Sequence, residues 1–297
     1  MALTLETQNE ATIDLDDYVR HIETRVDVDD PESLAASAPM LKALANNRAL
    51  IADLVDRELR DWRDFQAGNA YIGRTLMLAR RERFFVRANM WVPLPRRMPT
   101  TSRYNSASEY AIAHDHNFSF MTVGYLGSGY ETEIYEIDPR CFVGAEGERV
   151  DLGFLERTRL PAGKVMLYRA AQDVHSQHFP EEFSISINLM VPTQSAKRPQ
   201  FFFDLGRGVI TSRVYTEEGR GLALCELAKH IGSNTTATLL GDIAQTHRNS
   251  YVRTAAFEAL SARCAGAADA IRETVLSDPH PLVRKAAEQA SARPGDD

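Results

Sequence analysis

The sequence predicts an α+β protein in which a β-barrel is flanked by helices on both sides. Short β-prone runs separated by glycine, proline and polar turns fill residues 70–216, and apolar residues recur at helical spacing before and after them. The middle region has neither β-α-β alternation nor a glycine-rich phosphate loop, which disfavours a nucleotide-binding fold. We therefore expect an N-terminal helical region (1–69), a β-barrel (70–216) and C-terminal helices (217–297).

Composition narrows the possible classes of protein. The chain has 297 residues, of which 44% are hydrophobic and 25% charged, and its formal net charge is -7. This acidic balance argues against a nucleic-acid partner, and the absence of a run of about 18 apolar residues argues against a membrane span. The N-terminus is polar and acidic, unlike a signal peptide, and the three cysteines lie far apart. We expect a cytoplasmic protein without a disulfide framework or a cysteine zinc site.

The N-terminal region is predicted to be helical over residues 1–68. Asp30 suits an N-cap and Pro31 suits the first helical position. Apolar residues from Met40 to Leu59 follow a helical period, so this segment is expected to pack against the region that follows.

The middle region opens with a predicted hairpin, in which the charged "RRER" separates "RTLMLA" from "FFVRANMWV". Further strands are predicted at "YAIAHDHNFSFMTVGYL", "YETEIYEID", "KVMLYRA", "EFSISINLMV" and "QFFFDL". Many short strands with turns between them indicate a small sandwich or barrel.

The C-terminal helices contain a repeat. The segments "YVRTAAFEAL" and "LVRKAAEQAS" begin at residues 251 and 282, 31 residues apart, and each follows a polar turn. This pattern resembles HEAT repeats, in which a valine–arginine pair opens the second helix of each unit. Such repeats would either dock a protein partner or act as a helical buttress for the barrel.

The stretch "IAHDHNFSF" (112–120) suggests a metal site. In a strand, His114 and His116 share one face with Phe118 and Phe120, so both imidazoles can reach one ion. Imidazole suits iron, nickel, copper and zinc, so the spacing does not select a metal. The alternative is that these are ordinary strand histidines.

A third ligand is needed, and two places offer one. If "LGSG" closes a tight hairpin, Glu133 lies opposite Thr122 on the histidine face, but roughly 20 Å along the strand from His116. Glu133 and Glu131 can then line the interior but are poor ligands. His175 is the better candidate, because it precedes a strand with a polar face.

The strand after His175 reads "SISINLM", and its alternation places Ser184, Ser186 and Asn188 on one face. Three polar residues opposite an apolar face predict a polar pocket inside the barrel. His178 is three residues from His175 and should face the other way.

The segment from Tyr71 to Pro192 resembles the cupin superfamily, and within it the thiol dioxygenases. Those proteins have a double-stranded β-helix barrel and bind ferrous iron through an H-x-H pair, often "HDH", and a later histidine. The resemblance implies Fe(II) on His114, His116 and His175. It also implies that Arg74, at the family's spacing from the tryptophan in "YIGRTLMLARRERFFVRANMW", binds a substrate carboxylate.

The chain departs from this family in several places. A Pro- and Ser-rich insertion follows the tryptophan, in which Tyr104 or Tyr110 would contact substrate. The family's serine–histidine–tyrosine relay is here Ser186, Asn188 and Met190, and Met121 replaces its thioether-forming cysteine.

We therefore expect a non-haem iron oxygenase that uses dioxygen on a small, amino-acid-derived molecule, with a role in specialised metabolism. Arg74, Tyr104, Glu133, Ser186 and Asn188 are its candidate catalytic residues. The alternatives are a cupin isomerase or hydrolase with another divalent metal, and a ligand-binding cupin whose repeats dock a protein partner.

Overall fold

The computed structural model describes residues 3–60, 66, 69, 71, 73–93, 112–192, 199–214 and 219–290. The chain forms two compact units. The first comprises Met1–Pro139 with Arg149–Arg213, and the second comprises Arg140–Glu148 with Val214–Asp297. No helix in the described part of the chain is both long enough and apolar enough to cross a membrane.

The first unit contains four helices and twelve strands among its described residues. Its helices are α1 (Leu15–Arg25), α2 (Pro31–Ala36), α3 (Ala38–Asn46) and α4 (Ala49–Arg60). Its strands are β1 (Leu3–Leu5), β2 (Thr75–Arg80), β3 (Phe85–Trp91), β4 (Ala113–His114), β5 (Ser119–Leu126), β6 (Glu131–Glu136), β7 (Gly153–Arg159), β8 (Val165–Tyr168), β9 (Asp173–His178), β10 (Ser184–Val191), β11 (Gln200–Asp204) and β12 (Val209–Val214).

The strands form two six-stranded sheets. The first sheet has the order β1-β8-β5-β10-β3-β2 and the second has the order β12-β11-β4-β9-β6-β7. From β8 to β11 the chain alternates between the two sheets at every step, as it does from β3 to β6. This alternation is the strand path of a double-stranded β-helix. The prediction of an α+β fold built on antiparallel strands is confirmed.

One face of the first sheet is covered by the N-terminal helices. The apolar residues of β3, β5 and β10 that point to this side form one core with Tyr18, Ile22, Leu41 and Leu44 of the helices. Packing of the N-terminal segment against the β-region was expected from its helical period and is observed. Asp30 caps α2 as predicted, accepting hydrogen bonds from the backbone N–H groups of Glu32 and Ser33.

The prediction that the whole N-terminal segment is helical is wrong at its start. Leu3–Leu5 is a strand that pairs with β8, and α1 begins only at Leu15. Three residues carry too little periodicity to reveal a strand, and their pairing partner lies far along the chain.

The opposite face of the first sheet meets the second sheet in an aromatic interior. Phe120 and Tyr168 of the first sheet stack with ring centroids 4.5 Å apart, and Ile134 of the second sheet belongs to the same cluster. Trp91 packs on Tyr130 at 4.2 Å. The candidate site lies in this interior.

The predicted β2–β3 hairpin is confirmed, since the two strands pair antiparallel. The predicted hairpin around "LGSG" is wrong, because β5 pairs with β8 and β10 whereas β6 pairs with β7 and β9. The segment instead crosses between the sheets. Gly129 has a positive φ of 74°, and any Cβ there would overlap the carbonyl of Leu160, so glycine is required at this crossing.

The second unit is helical. Its helices are α5 (Gly219–His230), α6 (Asn234–Thr246), α7 (Ser250–Arg263), α8 (Ala265–Leu276) and α9 (Pro281–Ala290). They share a core that includes Phe257, Leu260 and Val283.

The sequence repeat of the second unit is also a structural repeat. Arg253 donates to the backbone carbonyl of His247 at 2.7 Å, and Arg284 donates to that of Asp278 at 2.7 Å. The two donors are 31 residues apart, and so are the two acceptors, which is the spacing of the sequence repeat. Arg253 also forms a partly buried ion pair with Asp278, which joins the two turns. Whether the unit is a HEAT array stays a prediction.

Candidate metal centre

The three predicted histidines lie together in the barrel interior. His114 ends β4 and lies directly opposite His175 of β9, while His116 follows two residues later. One ring nitrogen from each can be chosen so that all three lie within 4.8 Å of one another. The ring centroids of His114 and His175 are 4.5 Å apart, and those of His116 and His175 are 5.1 Å apart.

The local structure around the H-x-H pair differs from the prediction. The stretch "IAHDHNFSF" is not one strand: β4 ends at His114 in the second sheet, and β5 begins at Ser119 in the first. His175 precedes the polar-faced strand β10, as predicted, and it also lies within a strand of its own, β9. The two metal-site histidines of the H-x-H pair therefore sit where the chain crosses between the sheets.

Asp115 fixes this crossing. Its side chain is fully buried and its Oδ1 accepts the backbone N–H of Phe201 at 2.6 Å, while its own backbone N–H donates to the carbonyl of Phe201 at 3.2 Å. The carbonyl of His116 accepts the N–H of Ala171 at 2.6 Å. Side-chain and backbone bonds together hold the residues on both sides of Asp115, which presets the directions of the two imidazoles.

Two of the imidazoles are oriented through Nδ1. Nδ1 of His114 lies 2.9 Å from the carbonyl oxygen of Ile112, which accepts its proton and leaves Nε2 with a free lone pair. The amide nitrogen of Gln200 lies 3.1 Å from Nδ1 of His116. With the amide rotated by a half-turn, its carbonyl oxygen would stand at the same place and would accept Nδ1–H, which again leaves Nε2 free.

The third imidazole has an unsatisfied nitrogen. Nδ1 of His175 is buried and has no hydrogen-bond partner among the described residues. A buried polar atom without a partner costs free energy, and its retention is typical of functional sites. Three converging imidazoles fit a transition-metal ion, which accepts histidine nitrogen as a ligand.

All three imidazoles are poised to be neutral. Burial lowers the pKa of His114, with the hydrogen bond to Ile112 acting the other way. Burial, and then the charges of the neighbouring groups, holds the pKa of His116 and of His175 well below the usual histidine value. Those neighbours are His114 and Arg87 for His116, and His114 and His116 for His175. Neutral imidazole is the form that binds metals.

Aromatic rings wall the site. The ring of His116 lies 4.8 Å from Phe118 and 5.1 Å from Phe120, and the ring of His175 lies 4.7 Å from Tyr168. These rings limit the access of water to the histidines from the interior side.

A line of polar side chains crosses the first sheet on the face that meets the histidines. Trp91 Nε1–H donates to Oγ of Ser186 at 3.0 Å, and the hydroxyls of Ser186 and Thr122 both donate to Oδ1 of Asn188, at 3.0 and 2.8 Å. The predicted polar face of β10 thus lies inside the barrel, and Ser186 and Asn188 are buried there.

The other predicted catalytic residues are not brought to the histidines. Glu133 pairs with Ser176 on the face of the second sheet opposite Ile134 and His175, and it forms an ion pair with Arg157 at 3.2 Å. Its expected position opposite Thr122 is wrong, because β5 and β6 do not pair. His178 faces away from His175, as predicted, and lies on the same side as Glu133, with His178 Nε2 4.0 Å from Glu133 Oε1.

Arg74 also lies away from the histidines. The carbonyl of Arg74 accepts the N–H of Met90, and the side chain of Met90 packs against the core under the helices. The next residue, Thr75, bonds to Asn89 on the interior face. By strand alternation Arg74 therefore falls on the helix-covered side. Tyr104 and Tyr110 lie outside the described residues.

Two interior residues were missed. Gln200 is 84 residues from His116, so no local pattern could reveal it. Arg87 could have been found, because alternation along "FFVRANMW" places it with Phe85, Asn89 and Trp91 on one face. That face turned out to be the interior one.

No protein-family model and no curated protein matches the chain. Among solved structures, similarity extends over 50% of this chain and 37% of a point mutant of salicylate 1,2-dioxygenase from Pseudoaminobacter salicylatoxidans, with a TM-score of 0.29 and 10% identity. It extends over 46% of this chain and 90% of an uncharacterized protein with a double-stranded beta-helix domain from Klebsiella pneumoniae, with a TM-score of 0.25 and 12% identity.

A DMSP lyase gives similar values: 44% of this chain and 52% of the lyase are covered, with a TM-score of 0.27 and 10% identity. The chain thus spans about half the length of the lyase, and a smaller share of the salicylate dioxygenase. TM-scores of this size assign neither a family nor an activity to the chain.

Proposed function

We propose that this chain is a cupin-type, metal-dependent oxygenase that binds Fe(II) through His114, His116 and His175 and acts with dioxygen on a small organic molecule. The observation that supports it is the convergence of three neutral imidazoles in a barrel interior lined by aromatic and hydrogen-bonded polar side chains. Three histidine ligands leave the remaining coordination positions of the metal open. Ferrous iron held there would supply the redox chemistry that activates dioxygen.

The side chains around the histidines have separable tasks. Asp115 fixes the crossing segment, and Ile112 and Gln200 orient two of the rings. Phe120 and Tyr168 exclude water. Because the three imidazoles contribute no charge, an anionic substrate group is electrostatically favoured next to the metal.

The first experiment is the metal content of anaerobically purified protein. We expect about one iron per chain in the wild type and on the order of a hundredfold weaker binding in His116→Ala and in His175→Ala. His178→Ala is the matched control, because His178 lies on the same strand as His175 but on its other face. Metal retained in the two site variants would refute the three-histidine site.

Oxygen uptake then separates the oxygenase from its alternatives. Dioxygen consumption that requires both iron and a small-molecule substrate supports the proposal. Iron binding without any uptake across a substrate panel would favour a non-oxidative cupin enzyme. A wild-type chain that binds no metal would favour the ligand-binding alternative with a partner at the helical repeats.

A further inference from the structure

Arg87 is a cation on the interior face of the barrel. It lies on β3, where its register partners are Asn188 on β10 and Met77 on β2. Asn188 belongs to the interior polar line, so Arg87 shares the face of the first sheet that meets the histidines.

The guanidinium is close enough to the metal site to act on it electrostatically. Its charge is one of the causes that lower the pKa of His116. It lies over the ring of Tyr71, with Cζ 4.6 Å from the ring centroid, and Tyr71 also packs on Phe85 at 5.9 Å. Tyr71 is 40% exposed, so it separates Arg87 from solvent at the edge of the interior.

The hydrogen-bonding capacity of Arg87 is incompletely used. The guanidinium hydrogen-bonds to the side chain of Tyr71, but its Nε is buried without a partner and no carboxylate among the described residues forms an ion pair with it. Arg157, Arg169 and Arg253 each have a carboxylate partner. Burial lowers the pKa of Arg87 but leaves guanidinium charged, and a buried charge without a counter-ion is costly. A bound anion would offset that cost.

The surroundings define the anion. A single guanidinium matches a carboxylate, which binds arginine in a bidentate geometry. The rings of Tyr71, Phe85, Phe118 and Phe120 border Arg87 and His116 and favour an apolar, ring-sized body.

We propose that Arg87 is the carboxylate-binding residue of this site and that the substrate is a small organic acid with an apolar, ring-sized body. The assignment rests on the proposed function for the role of the histidines. It differs from the resemblance-based expectation, which gave this task to Arg74. The acid group is held by Arg87, and the body extends along the aromatic walls towards the histidines.

The test is equilibrium binding of benzoate, phenylacetate and cyclohexanecarboxylate, measured by calorimetry with iron-loaded protein kept anaerobic and with metal-free protein. Benzamide, the uncharged counterpart of benzoate, and inorganic phosphate serve as comparison probes. We expect saturable binding of at least one carboxylate, and at least about tenfold weaker binding of benzamide and phosphate.

Arg87→Gln should weaken carboxylate binding by at least about tenfold in both protein forms, and Arg87→Lys should lose less because it keeps the charge. Arg80→Gln, an exposed arginine at the end of β2, is the neutral control. Iron stoichiometry and thermal melting of each variant show whether it is folded and whether its histidine site is intact.

Unchanged carboxylate binding in a folded Arg87→Gln, loss in Arg74→Gln instead, or no carboxylate binding by the wild type would overturn the proposal. Failure of the iron site can be distinguished from failure of the Arg87 site, because carboxylate binding to Arg87 is also measured in metal-free protein. Carboxylate binding lost in Arg87→Gln while wild-type iron binding is absent would retain the subsite and reject the oxygenase.

Discussion

The two faces of the first sheet are both buried, yet they carry opposite kinds of side chain. The face under the N-terminal helices is apolar throughout β10, with Ile185, Ile187 and Leu189 in one core. The face towards the second sheet has Ser186 and Asn188 at the alternate positions. One strand therefore contributes to a hydrophobic core on one side and to a polar pocket on the other.

The difference separates residues that stabilise the fold from residues that serve the site. Apolar side chains on the helix-covered face gain free energy by burial and need no partners. On the interior face each polar group requires a partner, and Nε of Arg87 on this face and Nδ1 of His175 on the facing second sheet are among the buried atoms that lack one among the described residues. A ligand bound in the interior would supply the partner that these atoms lack.

The largest effect on stability is expected on the helix-covered face. Leu189→Ala removes a fully buried side chain and should lower the free energy of unfolding by about 2–5 kcal/mol, measured by urea denaturation. Iron bound per folded chain should stay at the wild-type value, since Leu189 points away from the histidines. Loss of iron at temperatures where the variant is fully folded would show that the two faces are not independent.

A smaller effect is expected one residue earlier. Asn188→Leu leaves the hydroxyls of Ser186 and Thr122 without their shared acceptor and should cost about 1–3 kcal/mol in the same assay. Unlike Leu189→Ala, it should also change carboxylate binding, because Asn188 is the register partner of Arg87. An Asn188→Leu protein with wild-type stability would mean that the polar line contributes nothing to the fold.

Part of the candidate site could be predicted from the sequence. The H-x-H spacing and the polar alternation of "SISINLM" were sufficient to predict that His114, His116 and His175 share a site and that Asn188 faces the interior. The position of Asn188 follows from side-chain alternation within β10, which is a local property. The histidine prediction held although its premise was wrong, because His116 lies beyond the end of β4 and not in one strand with His114.

The errors came from long-range pairing. Nothing near Asp115 indicates that it bonds to Phe201 and ends the strand there, and nothing in "LGSG" indicates a crossing rather than a hairpin. The assignment of Arg74 came from spacing in a resembling family, whereas alternation within "FFVRANMW" places Arg87 on the interior face. Local periodicity placed residues on faces correctly, but which strands pair was decided by distant parts of the chain.

A stabilising substitution is expected at the site itself. His175→Phe removes the buried Nδ1 that has no partner among the described residues and keeps a ring beside Tyr168, so metal-free protein should gain about 1 kcal/mol. Wild-type protein should become more stable when iron is added anaerobically, whereas the variant should not respond. A metal-free variant that is less stable than the metal-free wild type would show that the imidazole serves the fold.

The smallest effect at neutral pH concerns the protonation of His116 and His175 in the barrel interior. The folded-state pKa of His116 and of His175 is well below the unfolded value of about 6.5, so above that pH both states are neutral and stability does not change. As the pH falls below about 6.5, the unfolded chain binds protons that the folded chain does not, and the free energy of unfolding of the metal-free protein decreases. Urea denaturation at about pH 7.5 and about pH 5.5 measures this loss.

The double variant in which His116 and His175 are both replaced by phenylalanine is the control for the other groups that titrate in this range. His21 and His280 also have a lowered pKa through burial and contribute equally in both proteins. The wild type should therefore lose more stability on acidification than the double variant. Equal losses would mean that the interior histidines accept protons in the folded state as readily as in the unfolded one, and the neutral ligand set on which the metal site depends would have to be abandoned.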